Sequence, residues 1–541
     1  MSGRRGTIGV LVAHQLRRDR IQAPIWVAAT AILAWSAVIG VEQSYGSDAQ
    51  RAALLQTVAV NPVILLFRGL PSGAESAAFA LFLILPWLTM LAALAGLLLA
   101  VRHTRAEEES GRGLLIGAAP VGRLSEVTAT LIAGCIVQAA VGLAVAGVFM
   151  VCGLPPRGSW VAGAATSGVG IVFLAVGLCS AQLARSARGA RSIAVWLMLI
   201  TFVISGIGNA LGVPSKDLTR IESSGLVWAS PFGWAEQTRP FDADASGPLL
   251  LCLLVSTVLV ALALALRQAR DQDEGMLPQL PGRSHAPASL SSMPGLAWRL
   301  SRGSLLGWMI GGFLTGLLST GMGAAVRAAG NEIPAVQELL RSLVGRADVE
   351  AGMVVIFYVV VGVLAACWAV QSMCRARQEE VHGTRELVAA PPLDRVAWLG
   401  AFAVNAAAGV VLVCAAALLG SVAGALSADA TRLIPDAAVA ALGQILAALV
   451  FIGVTGIVFV LIPRATIPLS WSLVLVALGA GLFAPLFRAP DWVSRLSPFA
   501  VAPIADGGGI DARGAWWLLA AAVLSAGLAL GFMRRRELAS D

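Results

Sequence analysis

Lysine is all but missing from this sequence: Lys216, in Gly-Val-Pro-Ser-Lys-Asp, is the only one among 541 residues. A Walker-type phosphate loop needs a lysine beside its glycines, and no such pattern surrounds Lys216. Nucleotide hydrolysis by this chain is excluded on that ground. Charge of either sign is also scarce, at 13% of residues, where soluble proteins carry about a quarter. The four histidines (His14, His103, His285 and His382) and the seven cysteines (Cys135, Cys152, Cys179, Cys252, Cys367, Cys374 and Cys414) show no metal-type spacing. The cysteines read as small packing residues, and no resident metal is expected. No Ser/His/Asp set suggests catalysis, and no basic groove interleaved with aromatics suggests nucleic acid.

Apolar residues make up 57% of the chain, with mean hydropathy +0.81. They fall in twelve long runs, at about 24–41, 77–101, 127–152, 159–184, 192–213, 248–266, 304–326, 351–373, 397–422, 437–463, 466–487 and 514–533. A helix of about 20 apolar residues crosses a bilayer. Backbone groups in hydrocarbon must be paired within their own segment, so these runs predict an all-α polytopic membrane protein. The basic stretch before the first run lacks a small-residue cleavage site, which predicts a retained anchor. Starting with the N-terminus inside, 25 of the 38 basic residues fall in inside segments, as the positive-inside rule requires. Both termini are expected in the cytoplasm, at the plasma membrane of the cell.

All charged residues and histidines can be assigned to loops or span edges. Ion-coupled carriers usually need an ionisable group at membrane depth. Its absence suggests that energy for uphill transport arrives from outside the membrane.

The chain repeats itself. Arg105-Ala-Glu107-Glu108-Glu-Ser-Gly111 through Arg123, after the second run, matches Arg377-Gln-Glu379-Glu380-Val-His-Gly383 through Arg395, after the eighth. Eight of 19 aligned positions are identical, in the pattern R-x-E-E-x-x-G-x-x-x-L-x-x-A-x-P-x-x-R. Arg20 and Trp26 are spaced like Arg302 and Trp308, and Ser230-Pro231-Phe232 recurs as Ser497-Pro498-Phe499. Residues 1–270 and 296–541 therefore read as two six-helix halves, joined by a Pro/Ser-rich linker at 271–295. Halves of equal orientation imply a pseudo-twofold axis along the membrane normal, with a solute path between them. In the repeated segment Arg105 can pair with Glu108 or Glu109, at i+3 and i+4, along one face of a short helix that Gly111 closes. The segment, 102–125 in the first half and 374–396 in the second, reads as a rigid charged protrusion presented twice.

These features resemble the coupling-helix region of ABC-2-type (type V exporter-like) permeases. The whole chain is similar to duplicated actinobacterial permeases of the tetronasin or polyketide-antibiotic exporter family. Arg17-Arg18-Asp19-Arg20, His103 to Glu109 and Asn61-Pro62 carry that likeness. The resemblance implies an elbow helix before each half, at about 4–20 and 288–303, and short re-entrant helices at the Ser-Pro-Phe elements. It also implies two copies of a separate ABC ATP-binding subunit, which would hold ATP and Mg. Arg105, Glu107, Glu108, Gly111 and Arg123, with Arg377, Glu379, Glu380, Gly383 and Arg395, become candidate coupling residues. Glu109 aligns with Val381, so the two sites are similar and not equivalent.

Amphipathic outer helices are expected at 336–344 and about 52–69. Polar and aromatic groups inside the spans are candidates for the solute path: Trp35, Trp87, Gln138, Trp196, Asn209, Trp368, Gln444 and Trp471. With no buried charge, the expected solute is a hydrophobic or amphipathic small molecule such as an antibiotic, a drug or a lipid. The leading reading is the permease of an ATP-driven exporter. A twelve-helix ion-coupled secondary transporter is the alternative, followed by a membrane-embedded transferase or an importer.

Overall fold

The computed structural model describes residues 2–59, 65–66, 68–111, 122–271, 274–277, 285, 292–321, 349–381, 394–483, 492, 495–506 and 509–535. Twelve helices among these residues are long and apolar enough to cross a membrane, and the protein is an all-α polytopic membrane protein. The chain forms two compact units, Met1–Pro281 and Gly282–Asp541.

The first unit opens with α1 (Ser2–Arg18), turns at residues 19–21 and enters α2 (Gln22–Ser44). Next come α3 (Asp48–Ala59), α4 (Ser76–Arg102), α5 (Arg105–Glu109) and α6 (Ser125–Val151). Helices α7 (Pro156–Leu183), α8 (Ala187–Ala210), α9 (Pro231–Gln237) and α10 (Gly247–Ala269) complete it. A hairpin of β1 (Val213–Pro214) and β2 (Ile221–Glu222) lies between α8 and α9. Small residues set the helix spacing. Gly142 of α6 and Gly163 of α7 each meet the other's backbone so closely that a methyl group would collide. Such contact replaces the hydrophobic drive that lipid cannot supply.

The second unit contains α11 (Met293–Gly321), α12 (Val349–Val381), α13 (Arg395–Ser427), α14 (Ile434–Leu461), α15 (Thr466–Phe483) and α16 (Arg513–Arg535). A hairpin of β3 (Ile504–Asp506) and β4 (Gly509–Asp511) precedes α16. Gly312 and Gly316 of α11 pack on the α13 backbone, and Gly420 and Gly424 of α13 on that of α11. Hydroxyls weld this contact: Thr320 Oγ1 donates to Ser421 O at 2.7 Å, and Ser421 Oγ lies 2.9 Å from Tyr358 Oη on α12.

The two elbows differ. Around 19–21 the chain leaves the helix, because Asp19 turns away to bind Arg102 and His103. At the matching place the second unit has Ser301, whose hydroxyl bonds back to Ala297 O at 2.6 Å within an unbroken α11. The expected separate elbow at 288–303 is therefore continuous, from Met293, with the seventh span. The eighth span likewise runs on to Val381, so Arg377, Glu379 and Glu380 form its last turns and not a separate short helix. Of the helix expected at about 52–69, α3 covers the first part as far as Ala59 and residues 65–66 are helical, while 60–64 and 67 lie outside the described residues. The 336–344 helix, Asn61-Pro62, Gly383 and His382 lie outside the described residues.

Candidate coupling and path residues

The R-x-E-E segment of the first unit is an ion-paired junction. Thr104 O accepts from the Glu107 and Glu108 amides, starting the five-residue helix α5. Gly111, at φ +74°, ends it with its amide on Glu108 O; a β-carbon there would be strained. Arg105 Nη1 lies 2.7 Å from Glu108 Oε2, the i+3 member of the two pairings the spacing allows. Arg105 also donates to Ala181 O of α7 at 2.9 Å and to Glu274 O at 3.0 Å. Arg270, just past α10, grips both Glu108 oxygens at 2.7 and 2.8 Å, and Arg267 approaches to 3.4 Å. Arg270 Nε reaches Gln182 of α7 at 2.7 Å. Glu107 is paired with Arg18 of α1, and Glu109 accepts from the Ala187 amide, 2.9 Å away, at the start of α8. One short segment thus ties together the ends of α1, α7, α8 and α10.

This corrects one expectation. Arg105 and Glu108 do not sit in water: they are 1% and 5% exposed, and Glu107 is 8% exposed. A buried carboxylate needs its charge compensated, and three arginines do this for Glu108. Of residues 102–111 only Glu109 and Ser110 are exposed, and Arg123 lies exposed 3.9 Å from Asp271. In the second unit Arg377 and Glu380 pair at 2.9 Å and are partly buried, as is Glu379, while Arg395 begins α13.

Asp19 anchors the elbow. Its carboxylate lies 2.6 Å from His103 Nε2 and 2.7 Å from Arg102 Nη1. Burial works to raise its pKa, but hydrogen bonds and charge from His103 and then Arg102 outweigh that and lower it. A carboxylate with a lowered native pKa stabilises the fold above its unfolded value, near 3.9, and loses that contribution as pH falls through the native one. Asp19→Asn should therefore lower the melting temperature at pH 7 by about 4–8 °C, for a loss of about 2 kcal/mol. Scanning calorimetry should find the gap closing as pH falls through the lowered native pKa, where wild-type Asp19 also becomes neutral.

Within their own units the path candidates have different surroundings. Gln138 is buried and donates to Ala92 O at 2.9 Å, in space left by Gly96 and Gly170. Trp368 is buried against Gly409 and donates to Ala406 O at 3.0 Å. Gln444 packs on Gly362 and donates to Phe499 O at 3.3 Å. Trp471 is half-buried against the core of its unit. Trp35, Trp87 and Trp196 are exposed, Trp87 against the Phe202 ring.

Asn209 leads to a site that was not expected. At the end of the first unit away from the R-x-E-E segment, Ser230 caps α9 and donates to Thr201 O of α8 at 2.7 Å. Glu236 Oε2 accepts from Ser205 Oγ at 3.1 Å and from Asn209 Nδ2 at 2.7 Å. Thr201, Ser205 and Asn209 follow at i, i+4 and i+8, one stripe of α8 along which α9 lies. Burial pushes the Glu236 carboxyl up to about 7, against the pull of its Asn209 and Ser205 donors. The sequence places Glu236 in an outer loop, yet its carboxylate sits against the last turns of a span. The Ser/Asn pair at i, i+4 on that span was the available signal. In the second unit Ser497 makes the equivalent tie, donating to Ala477 O of α15 at 2.7 Å.

Comparison with known proteins agrees with a transport role for this architecture. Residues 290–534 match the family described as the multidrug efflux system permease Rv1217c, C-terminal domain. The chain is also similar to the multidrug efflux system permease protein Rv1217c of Mycobacterium tuberculosis (strain ATCC 25618 / H37Rv). The two are 33% identical over 545 residues, spanning 99% of this chain and 96% of that protein. With twelve membrane-length helices and likeness over nearly its whole length, the chain belongs to the Rv1217c family of multidrug efflux permeases.

Proposed function

We propose that this chain is the membrane permease of an ATP-driven ABC-2-type exporter for hydrophobic or amphipathic compounds, working with two copies of a separate ATP-binding subunit. The observation that carries the reading is the R-x-E-E junction, where one segment beside an exposed tip is bonded to the ends of four other helices. A push on such a tip would move several spans together. Recurrence of the R-x-E-E sequence in the second half supports two docking points, and the missing Walker lysine supports hydrolysis on a partner. In this reading Arg105, Glu107 and Glu108 hold the segment's shape, while Glu109, Ser110 and the Glu379 region meet the ATPase. The relative's name, multidrug efflux system permease, supports drugs as the solute class. Trp35, Trp87 and Trp196, exposed on their unit, are the path candidates able to meet a solute.

The runner-up is an ion-coupled secondary transporter, favoured by one observation, the buried Glu236 carboxylate. The proposed orientation has both termini and both R-x-E-E segments in the cytoplasm. In a cysteine-free background, Ser110→Cys should resist an impermeant thiol reagent added to intact cells, and Gly225→Cys should react. The reverse pattern would overturn the orientation. Purification in mild detergent should bring down an ABC ATPase in about twofold molar excess over the chain; a chain that purifies alone under every condition contradicts the heteromeric reading.

A further inference from the structure

We propose that Glu236 is a proton-binding site, occupied while α9 is closed against α8 and emptied when that end of the first unit opens to water. Among the buried acids of this unit it stands apart in its surroundings. Asp19, Glu107 and Glu108 each face an arginine or histidine, and the half-buried Glu126 sits among Glu107, Glu108, Arg267 and Arg270. Glu236, only 5% exposed, is held by a hydroxyl and an amide.

The charges nearby are spent elsewhere. Around α9 pack α4, α7, α8, α10 and the turn Gly225–Ala229. At this end α4, α8 and the turn bring no titratable group, α7 brings Arg157 and α10 brings Cys252. Arg157 lies 3.8 Å from Asp244, Arg220 pairs with Asp242 at 2.8 Å, and Arg239 donates to Ile221 O. None of them shifts Glu236, whose titration reflects burial and its two neutral donors. An ionised carboxylate without a cation is costly away from water, so the closed state takes the neutral acid.

The site is also placed to open. Beyond the carboxylate, Asn209 Oδ1 accepts from Ser223 Oγ at 2.9 Å, and Gln237 Nε2 donates to Ser223 Oγ at 3.1 Å. Glu236 borders a cavity of about 10 Å³ with Ser72 and Pro240, room for about one water. That water is the natural acceptor: opening transfers the proton from the carboxyl to water, and closing takes one back. Counting from Ser230 and Ser497, the position equivalent to Glu236 is Pro503, so the device occurs once per chain. Export through this end would then respond to the pH on that side.

The test uses the full chain in lipid nanodiscs and needs no ATPase, so its failure leaves the exporter reading untouched. Infrared spectra of wild type minus Glu236→Gln, which cancel the other carboxyls, should show a protonated-carboxyl stretch at about pH 6 that is lost by about pH 9. Asn209→Ala removes a donor to the ionised form and should shift the loss to higher pH. Amide hydrogen exchange across 225–238 should match Glu236→Gln at about pH 6 and run about tenfold faster in wild type at about pH 9. If Glu236→Gln does not fold, the wild-type band and the Asn209→Ala shift still decide the matter. No titrating band assignable to Glu236, or one that titrates with exchange unchanged, overturns the proposal.

Discussion

Glu108→Gln is expected to destabilise the first unit by about 3–5 kcal/mol, because it leaves Arg105, Arg267 and Arg270 clustered with their shared counter-charge removed. Glu108→Arg would bring a fourth cation into a place that is 5% exposed, and should give no folded protein at all. Glu380→Gln in the matching segment should cost less than Glu108→Gln, since Glu380 is only half-buried and its bond to Arg377 is an i, i+3 contact. Urea denaturation of the three variants in detergent, read by tryptophan fluorescence, measures the difference. Equal small losses would mean that the Glu108 cluster contributes nothing beyond an ordinary helix pair.

Charge reversal at the tip should do the opposite, sparing the fold and removing coupling. Glu109 is exposed and Glu379 half-buried, one at each proposed docking point. Glu109→Arg with Glu379→Arg should lower solute-stimulated ATP hydrolysis of the complex by at least about tenfold, because like charges across an interface cost several kcal/mol. Gel filtration should show the same monodisperse permease, with a small stability loss from the missing Glu109 bond to the Ala187 amide. Either single reversal should retain part of the stimulation. Normal stimulation in the double variant would make these segments solvated turns with no part in coupling.

The spans were legible in the sequence because a bilayer imposes one rule, about 20 apolar residues without charge, that needs no knowledge of neighbours. Internal pairing of the repeated segment was legible too, since Arg105 and Glu108 are three residues apart. What could not be read was where that segment lies. The arginines that bury Glu108 come from the far end of α10, more than 150 residues along the chain, and no local pattern announces them. The same reason hid Glu236, whose partners Ser205 and Asn209 belong to another element. The unequal elbows were hidden differently. Asp19 and Ser301 occupy matching places, but whether the helix breaks depends on having Arg102 and His103 opposite, and those positions in the second half are Cys374 and Arg375. The path candidates were chosen as polar or aromatic residues within spans. Gln138 and Trp368 each fill the space beside a glycine of a neighbouring helix, a contact that no local pattern shows.

In the proposed cycle ATP on a partner subunit, and not an ion gradient, drives solute through this chain. Proteoliposomes containing the permease with and without its ATPase, given either ATP or an imposed proton gradient, test it directly. The account predicts solute accumulation with ATP only when both proteins are present, and none from a gradient across vesicles holding the permease alone. Gradient-driven accumulation by the permease alone, abolished by Glu236→Gln, would contradict it and make the chain a secondary transporter.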